Sequence, residues 1–443
     1  MQNIDLLLFY EHVTRELDVA CLVKHFVETR HGLTVKIAHQ YHGVAYALAH
    51  WTPRLVAIPF CYSDSARHYP FMYDWRRATY FNMAWEELLY PGNREAKMPR
   101  GIFETKHVLH HAWSAEYAAL IQARGVLPEH IFINGNPTYT LYDAPYRFLF
   151  DDRATLAKRY GLDPRKRWIF FPENYNWAFY KEWRFNALEH EGLERQTMDR
   201  MKLFSRDSFR QAIEWCGARA ARGDVEIILR PRPTTSLVEF QEAVAALCPA
   251  LPANLHLNKE ASVREWILAS DVVLSSYSTS LIEAAVAGKP AYMLEPYPLP
   301  DALSANWHAH VPRINTLAEF ERACLDTTPF ENRLAAWARR TMMAHGDSIS
   351  NLADHLAQLL QGNAKRPAIP ARHTLVNPSV NRLHSFMRFE KRRIRGRAQR
   401  LTPHPPTTVY EKDVVSSNEI EERVARWAKL LATHNATLLG QSA

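Results

Sequence analysis

Glycine is scarce. Fifteen glycines in 443 residues is about half of the usual share of about 7%, and no stretch reads GxGxxG or GxxxxGK[ST]. Chains that grip a nucleotide through a glycine-rich loop need those residues so that backbone N–H groups can reach the phosphates, and this chain must do without them. The five cysteines, Cys21, Cys61, Cys216, Cys248 and Cys324, are scattered with no CxxC pair. That excludes the zinc-ribbon and dithiol redox motifs, and the odd number at wide spacing fits a reducing cytoplasm. No apolar run reaches the ~20 residues of a membrane span, and the opening MQNIDLLLFYEH is too short, with acids too early, for a signal peptide. Nor does an Asp-x-Asp pair stand at a strand end; Asp151 and Asp152 fall in a linker. No metal is therefore expected, and no cofactor. The His-rich Lys106–Trp113 (KHVLHHAW) reads as a strand without partners for a metal.

What is present is ample for a folded core: 47% of residues are hydrophobic and 23% charged. The length implies two or three domains at roughly 100–200 residues each. The formal charge of +7 fits an acidic partner: nucleic acid, anionic lipid, or a nucleotide-linked or acidic sugar. Much of that excess lies near the C-terminus.

Apolar runs alternate with helical periodicity. Strands are expected at Ile4–Tyr10, Thr34–His39, Arg54–Pro59, within Ala78–Trp85, at His107–Ala112 and at His130–Asn134, with helices at Arg15–Thr29 and Ala115–Arg124. A second series follows Asp151, with strands at Trp168–Phe171, Val225–Leu229, Leu255–Leu257, Val272–Ser275 and Ala291–Leu294, and helices between them. Alternating strands and helices imply parallel β-α-β units. The expected class is α/β: a Rossmann-like domain over 1–150, a second over 151–362, and a tail over 363–443. The tail holds two Pro-rich pieces, the basic run Arg388–Arg400 and a terminal helix. In open α/β sheets ligands bind beyond the carboxyl ends of the strands, which fixes where chemistry is to be sought.

The stretch DVVLSSYSTSLIEAAVAGKP (Asp271–Pro290) runs from an apolar strand through hydroxyl residues into a helix. Ser278, Thr279 and Ser280 stand where a helix start exposes N–H groups to a phosphate, and Glu283, a turn later, can reach a ribose diol. The same pattern also reads as a capped helix with no ligand. IILRPRP (Ile227–Pro233) ends a strand with Arg230 and Arg232 held by prolines, a fork suited to phosphate or carboxylate. Tyr10-Glu11-His12 follows the first strand, so Glu11, His12 and Glu16 are candidate bases; Arg15 and Glu16 also read as a helix-surface pair. Glu173, the other candidate catalytic carboxylate, follows the first strand of the second series, and its neighbours Tyr175 and Trp177 either stack on a base or sugar or pack as an aromatic loop. Glu86 and Glu87 either contact an acceptor or open a helix.

Hydroxyl residues followed by Glu-Ala and Gly-Lys-Pro resemble the nucleotide-sugar site of GT-B glycosyltransferases and the related 2-epimerases. That resemblance implies two Rossmann-like domains facing across a cleft, with Glu283 on the ribose and Ser278–Ser280 at the diphosphate. In similar polysaccharide transferases the Arg230–Pro233 position often reads Arg-Pro-His-Pro; here Arg232 replaces the histidine. YEHVTRELDVACLVKHF (Tyr10–Phe26), NMAWEELL (Asn82–Leu89), INGNP (Ile133–Pro137) and HGDSISNLADHL (His345–Leu356) resemble bacterial surface carbohydrate biosynthesis proteins over about residues 1–360. The implied function is a metal-independent transferase that moves a sugar from a nucleotide sugar to a capsule or lipopolysaccharide glycan. The donor could be a CMP-activated acidic sugar, a UDP-hexose or a CDP-polyol, and the acceptor a glycan or lipid-linked glycan. The alternatives are a nucleotide-sugar 2-epimerase and a non-catalytic assembly protein. A cytoplasmic protein is implied, with Arg388–Arg400 as a contact to the anionic inner face of the plasma membrane, unless that run is a solvated helix. Nucleic acid is not expected as the partner.

Overall fold

The computed structural model describes residues 1–62, 74–190, 192–233, 235–328, 330–362, 367, 387 and 413–441. Arg388–Arg400 and nearly all of the proline-rich tail lie outside them. The chain forms two compact units, one of Met1–Glu87, Ala96–Leu141 and Thr341–Ala443, the other of Leu88–Glu95 and Tyr142–Arg340.

The first unit is built on β1 (Gln2–Tyr10), β2 (Val35–His39), β3 (Trp51–Ile58), β4 (Thr79–Asn82), β5 (Val108–Ala112) and β6 (Ile131–Ile133). They pair in the order β2-β1-β3-β4-β5-β6, all parallel. Parallel sheets are covered on both faces, so their strands read as unbroken apolar runs. The IDLLLFY segment is such a run, and Leu6, Leu7 and Leu8 are all buried. The second unit holds β7 (Arg167–Pro172), β8 (Val225–Arg230), β9 (Leu255–Leu257), β10 (Val272–Ser275), β11 (Ala291–Leu294) and β12 (Arg313–Ile314). Their order is β12-β11-β10-β7-β8-β9, again parallel. One face of this sheet packs Val225, Ile227 and Leu229 against Phe209, Ile213 and Cys216 of the long helix Arg195–Ala220. In each unit the first strand lies inside the sheet, and the order reverses beside it. In open α/β sheets ligands bind at such a reversal, here the carboxyl ends of β1 and β3 in one unit and of β7 and β10 in the other.

Caps define the local starts. Asp152 accepts from the Thr155 N–H to open the helix Arg153–Tyr160, and Gly161 closes it in the left-handed region. Asp347 accepts from the N–H groups of Ile349 and Ser350 to open Ser348–Gln361. Two of the segments that resemble carbohydrate biosynthesis proteins meet at this second start. Asn134 Nδ2 donates to Ser348 O at 2.7 Å, Ser348 Oγ donates to Asn134 O at 2.8 Å, and Asn136 N–H donates to Met342 O at 2.7 Å. Between the two asparagines Gly135 has φ +88°, and a Cβ there would lie 2.7 Å from both Met342 O and Ser348 Oγ. Only glycine fits this close crossing.

The sequence suggests cuts after residues 150 and 362. Packing instead groups Tyr142 onward with the second unit and Thr341 onward with the first. The terminal helix, Ser417–Gln441, shows why the described tail belongs to the first unit. Its Ile420 and Trp427 are buried. Trp427 Nε1 and Arg423 Nη1 both donate to Asp18 Oδ1 at 3.2 Å, at the start of the helix Asp18–His31. The Val415 N–H donates to Tyr10 Oη at 3.3 Å. Among the described residues no helix is long and apolar enough to cross a membrane.

Removing a fully buried indole costs about 3–5 kcal/mol. Trp427→Ala should therefore lower the urea midpoint of the full chain markedly. An unchanged midpoint would contradict the docking of the terminal helix.

Candidate functional site

In the first unit the carboxyl end of β1 delivers Glu11 and His12, and a five-residue π-helix, Val13–Leu17, follows at once. Such widened turns recur at functional sites because they re-aim side chains. Glu11 is buried and heavily engaged: Oε1 accepts from Tyr41 Oη at 3.2 Å and Oε2 from Arg15 Nη2 at 3.3 Å. Its N–H donates to Glu16 Oε2 at 2.6 Å. The expected surface pair of Arg15 and Glu16 is instead internal. Glu16 is fully buried, and Arg15 ties it at 2.6 Å while also reaching Glu86 Oε1 at 2.8 Å. The π-turn carries Glu16 inward, while Arg15 stays half-buried over it. Burial pushes the Glu16 carboxyl up against the pull of Arg15. Burial also works to raise Glu86, but Lys97 and Arg15 outweigh it and hold Glu86 down at about 2.

Glu86 and Glu87 lie in an irregular segment, not at a helix start. Glu87 Oε2 accepts from the Trp113 N–H at 2.7 Å, and burial drives its carboxyl well up. His12 is 19% exposed. Its Nδ1 lies 3.1 Å from Asp413 Oδ2, and its Nε2 lies 3.8 Å from Glu11 Oε2. The residue the sequence did not flag is Asp413. Its other oxygen accepts from the Val13 N–H at 2.8 Å. Nothing local in EKDVVSS marks it, because its partners stand about 400 positions away in the chain. The histidines of KHVLHHAW are structural: His110 and His111 are buried in β5, and His110 Nε2 donates to Glu104 O at 2.7 Å. Among the described residues no three His, Cys, Asp or Glu side chains gather as a metal set.

In the second unit three adjacent strands, β8, β7 and β10, bring Arg230, Arg232, Glu173 and Ser275–Ser280 to one end of the sheet. Pro172 pairs with Arg230, the Glu173 N–H donates to Arg230 O at 2.8 Å, and Ser275 Oγ donates to Pro172 O. Arg230 is buried, and its Nη1 donates to Glu260 O at 2.9 Å. Burial lowers that guanidinium to about 10. Glu173 is 2% exposed. One oxygen accepts from the Tyr175 N–H, while the other has no hydrogen-bond partner among the described residues. Burial pushes its carboxyl up to about 7, against the opposing pull of the Arg232 guanidinium and of the Tyr175 and Arg232 N–H groups. Arg232 Nε and Ser276 Oγ are likewise buried without a hydrogen-bond partner among the described residues. Buried polar groups are nearly always paired in native proteins, and these three unpaired atoms stand at neighbouring strand ends.

The helix that follows, Ser280–Val286, is short. Ser278 Oγ accepts from the Ser280 N–H at 3.3 Å and donates to Ser280 Oγ at 3.2 Å, while the Thr279 hydroxyl makes no capping bond. The Leu281 and Ile282 N–H groups bond within the turn, to Ser278 O and Thr279 O. Glu283 Oε2 accepts from Tyr142 Oη at 2.6 Å, and Arg264 lies over the Tyr142 ring. Tyr175 and Trp177 do not present open faces. Tyr175 is fully buried against Phe209, and Trp177 packs on Tyr180 and Phe185.

No family model and no curated protein sequence matches the chain. Solved structures do match its fold. The UDP-GlcNAc 2-epimerase of Neisseria meningitidis bound to UDP-GlcNAc aligns at TM-score 0.51 and 11% identity, over 82% of this chain and 100% of that one. S. aureus MnaA, in a co-structure with UDP, aligns at TM-score 0.51 and 11% identity, over 84% and 100%. The wall teichoic acid polymerase TagF with CDPG aligns at TM-score 0.51 and 10% identity, over 81% and 89%. At such identities the likeness is one of fold: an α/β chain of the GT-B type, with two parallel six-stranded sheets and a C-terminal helix.

The raised Glu173 carboxyl carries a pH signature. A group that binds its proton more tightly when folded adds stability that is full below its unfolded pKa and is lost as pH rises through the folded value. Stability should thus fall between pH 4.5 and about 7. Glu173→Gln should flatten that window by on the order of 3 kcal/mol, read from urea unfolding at each pH. An identical slope in wild type and variant would contradict the assignment.

Proposed function

We propose that this chain is a nucleotide-sugar-dependent glycosyltransferase that extends a bacterial surface polysaccharide, of the capsule or lipopolysaccharide kind. The observation that carries the reading is the cluster of orphaned polar atoms on Glu173, Arg232 and Ser276, set beside the strand-order reversal of the second unit. Arg232, with the charge of Arg230 behind it, suits the diphosphate or the sugar acid of a donor. Ser278, Thr279 and Ser280 are the hydroxyl donors next to it. Glu283 is the ribose contact, in exchange for or alongside its bond from Tyr142. Structures of the same fold are described with UDP, UDP-GlcNAc and CDPG, which supports a nucleotide-linked donor.

The reaction follows from these parts. A base takes the proton of an acceptor hydroxyl, that oxygen bonds to the anomeric carbon, and the bond from that carbon to the donor phosphate breaks. The nucleotide leaves with its negative charge, which arginines stabilise where it develops. His12 serves as the base on the acceptor side, because Glu11 is already held by Arg15 and Tyr41. Glu173, near 7, is poised to hold or release a proton on the donor side. No metal or cofactor is assigned a role. The enzyme would work in the cytoplasm, at the inner face of the membrane, with Arg388–Arg400 as its contact. A second reading, a 2-epimerase, has the likeness of the Neisseria meningitidis fold in its favour.

The test is a thermal-shift series with CMP, CDP, UDP, GDP and their sugar conjugates. Ligand at 100 times its Kd adds about 2.7 kcal/mol, and one nucleotide class should raise Tm. Glu283→Ala should cancel most of that rise. A full rise in the variant would remove Glu283 from the site, and no rise with any nucleotide in the wild type would overturn the reading.

A further inference from the structure

The sequence separates Asp413 from His12 by 401 positions, and the fold brings them to 3.1 Å. The contact is part of a built arrangement. The carboxylate holds the turn twice, with Oδ2 on the His12 ring and Oδ1 on the Val13 N–H at 2.8 Å. Two residues later the Val415 N–H binds the hydroxyl of Tyr10, the last residue of β1. The helix beyond is fastened by Ile420, by Trp427 and by the bonds of Arg423 and Trp427 to Asp18. A carboxylate beside so anchored a segment is held in place from its C-terminal side. Burial works against its charge, but the His12 ring and the Val13 N–H outweigh that and keep the Asp413 carboxyl below its usual range.

An ionised carboxylate only accepts hydrogen bonds, so the facing nitrogen must carry a proton. In a neutral imidazole one nitrogen donates and the other accepts, and the bond made by the first decides which is which. We infer that Asp413 is a positioning residue that fixes His12 as the Nδ1–H tautomer and so makes Nε2 the proton-accepting atom of the site. The C-terminal segment thereby supplies a working part of the first unit. An Asp–His pair of this kind also stabilises the imidazolium formed when Nε2 takes a proton. The assignment of His12 as base rests on the proposed transferase reading, whereas the tautomer does not.

The experiment therefore reads the tautomer directly. The full chain, labelled with 15N-histidine, is examined by long-range 1H–15N correlation, and His12 is assigned by loss of its signals in His12→Gln. The expected spectrum shows a protonated Nδ1 and an unprotonated Nε2. Asp413→Asn keeps the shape and a carbonyl oxygen for the Val13 N–H, but its amide would donate toward Nδ1. The ring should then switch to the Nε2–H form. Asp413→Glu should retain the Nδ1–H form. An Nε2–H tautomer in the wild type, or one unmoved by Asp413→Asn in a chain of unchanged Tm, would overturn the proposal.

Once a donor and acceptor are in hand, Asp413→Asn should lower kcat by about 10³–10⁴-fold with KM little changed, and Asp413→Glu should restore part of it. An equal loss in kcat for Asn and Glu, with the tautomer intact in Glu, would also overturn it. If the tautomer follows Asp413 but the wild type turns over no nucleotide sugar, the transferase reading fails and the positioning role stands.

Discussion

A parallel strand buried on both faces has no room for charge until its last ladder hydrogen bond is made. The first strand of each sheet is of that kind here: Leu6–Tyr10 of β1 and Trp168–Phe171 of β7 are apolar and buried. Polar chemistry is therefore displaced to the carboxyl ends, and most strongly to the place where strand order reverses. Glu11 and His12 stand one and two residues past β1, and Glu173 one residue past β7. Each follows the first strand of its unit. The two units thus solve the same geometric problem in the same way, with different side chains.

The consequences differ between the units. In the first, one group of carboxylates is compensated: Arg15 spans Glu11, Glu16 and Glu86, and Lys97 adds a further charge, while Glu87 keeps one buried oxygen without a hydrogen-bond partner among the described residues. Such a network is rigid because breaking any member would strand a buried charge. In the second, compensation is incomplete. Glu173, Arg232 and Ser276 each keep a buried atom without a hydrogen-bond partner among the described residues, and the proposed donor site is built on them. The scarcity of glycine bears on this. Donors come from arginine and serine side chains beside the strand ends, and the N–H groups of Ser280, Leu281 and Ile282 are bonded within their own turn.

Strands were legible in the sequence because long apolar runs between turn residues leave little choice. IDLLLFY and VEIIL are strands as their runs require, and DVVLS gives the strand Val272–Ser275. That Glu173, Arg230, Arg232 and Ser278 stand at one end of the second sheet was also readable, since each ends or follows a strand that parallel pairing sets beside the next. Contacts with no local signature were not legible. Asp413 has the composition of any loop residue, and only the burial of Ile420 and Trp427 reveals why its segment returns to β1. The π-turn after His12 carries Glu16, half of an apparent surface pair with Arg15, inward. The aromatic side chains after Glu173 looked fit for stacking, yet Tyr175 fills the core against Phe209. Aromatic residues serve either purpose, and packing density decides between them.

The central claim is that the second unit binds an activated sugar and that the chain delivers it to an acceptor. The most direct measurement is chromatography of the products after the wild-type chain is incubated with each nucleotide sugar, with and without a bacterial surface glycan. Free nucleotide and an extended glycan are expected only when the acceptor is present. A C2-epimerised nucleotide sugar formed without acceptor, or no nucleotide released from any donor in its presence, would contradict it.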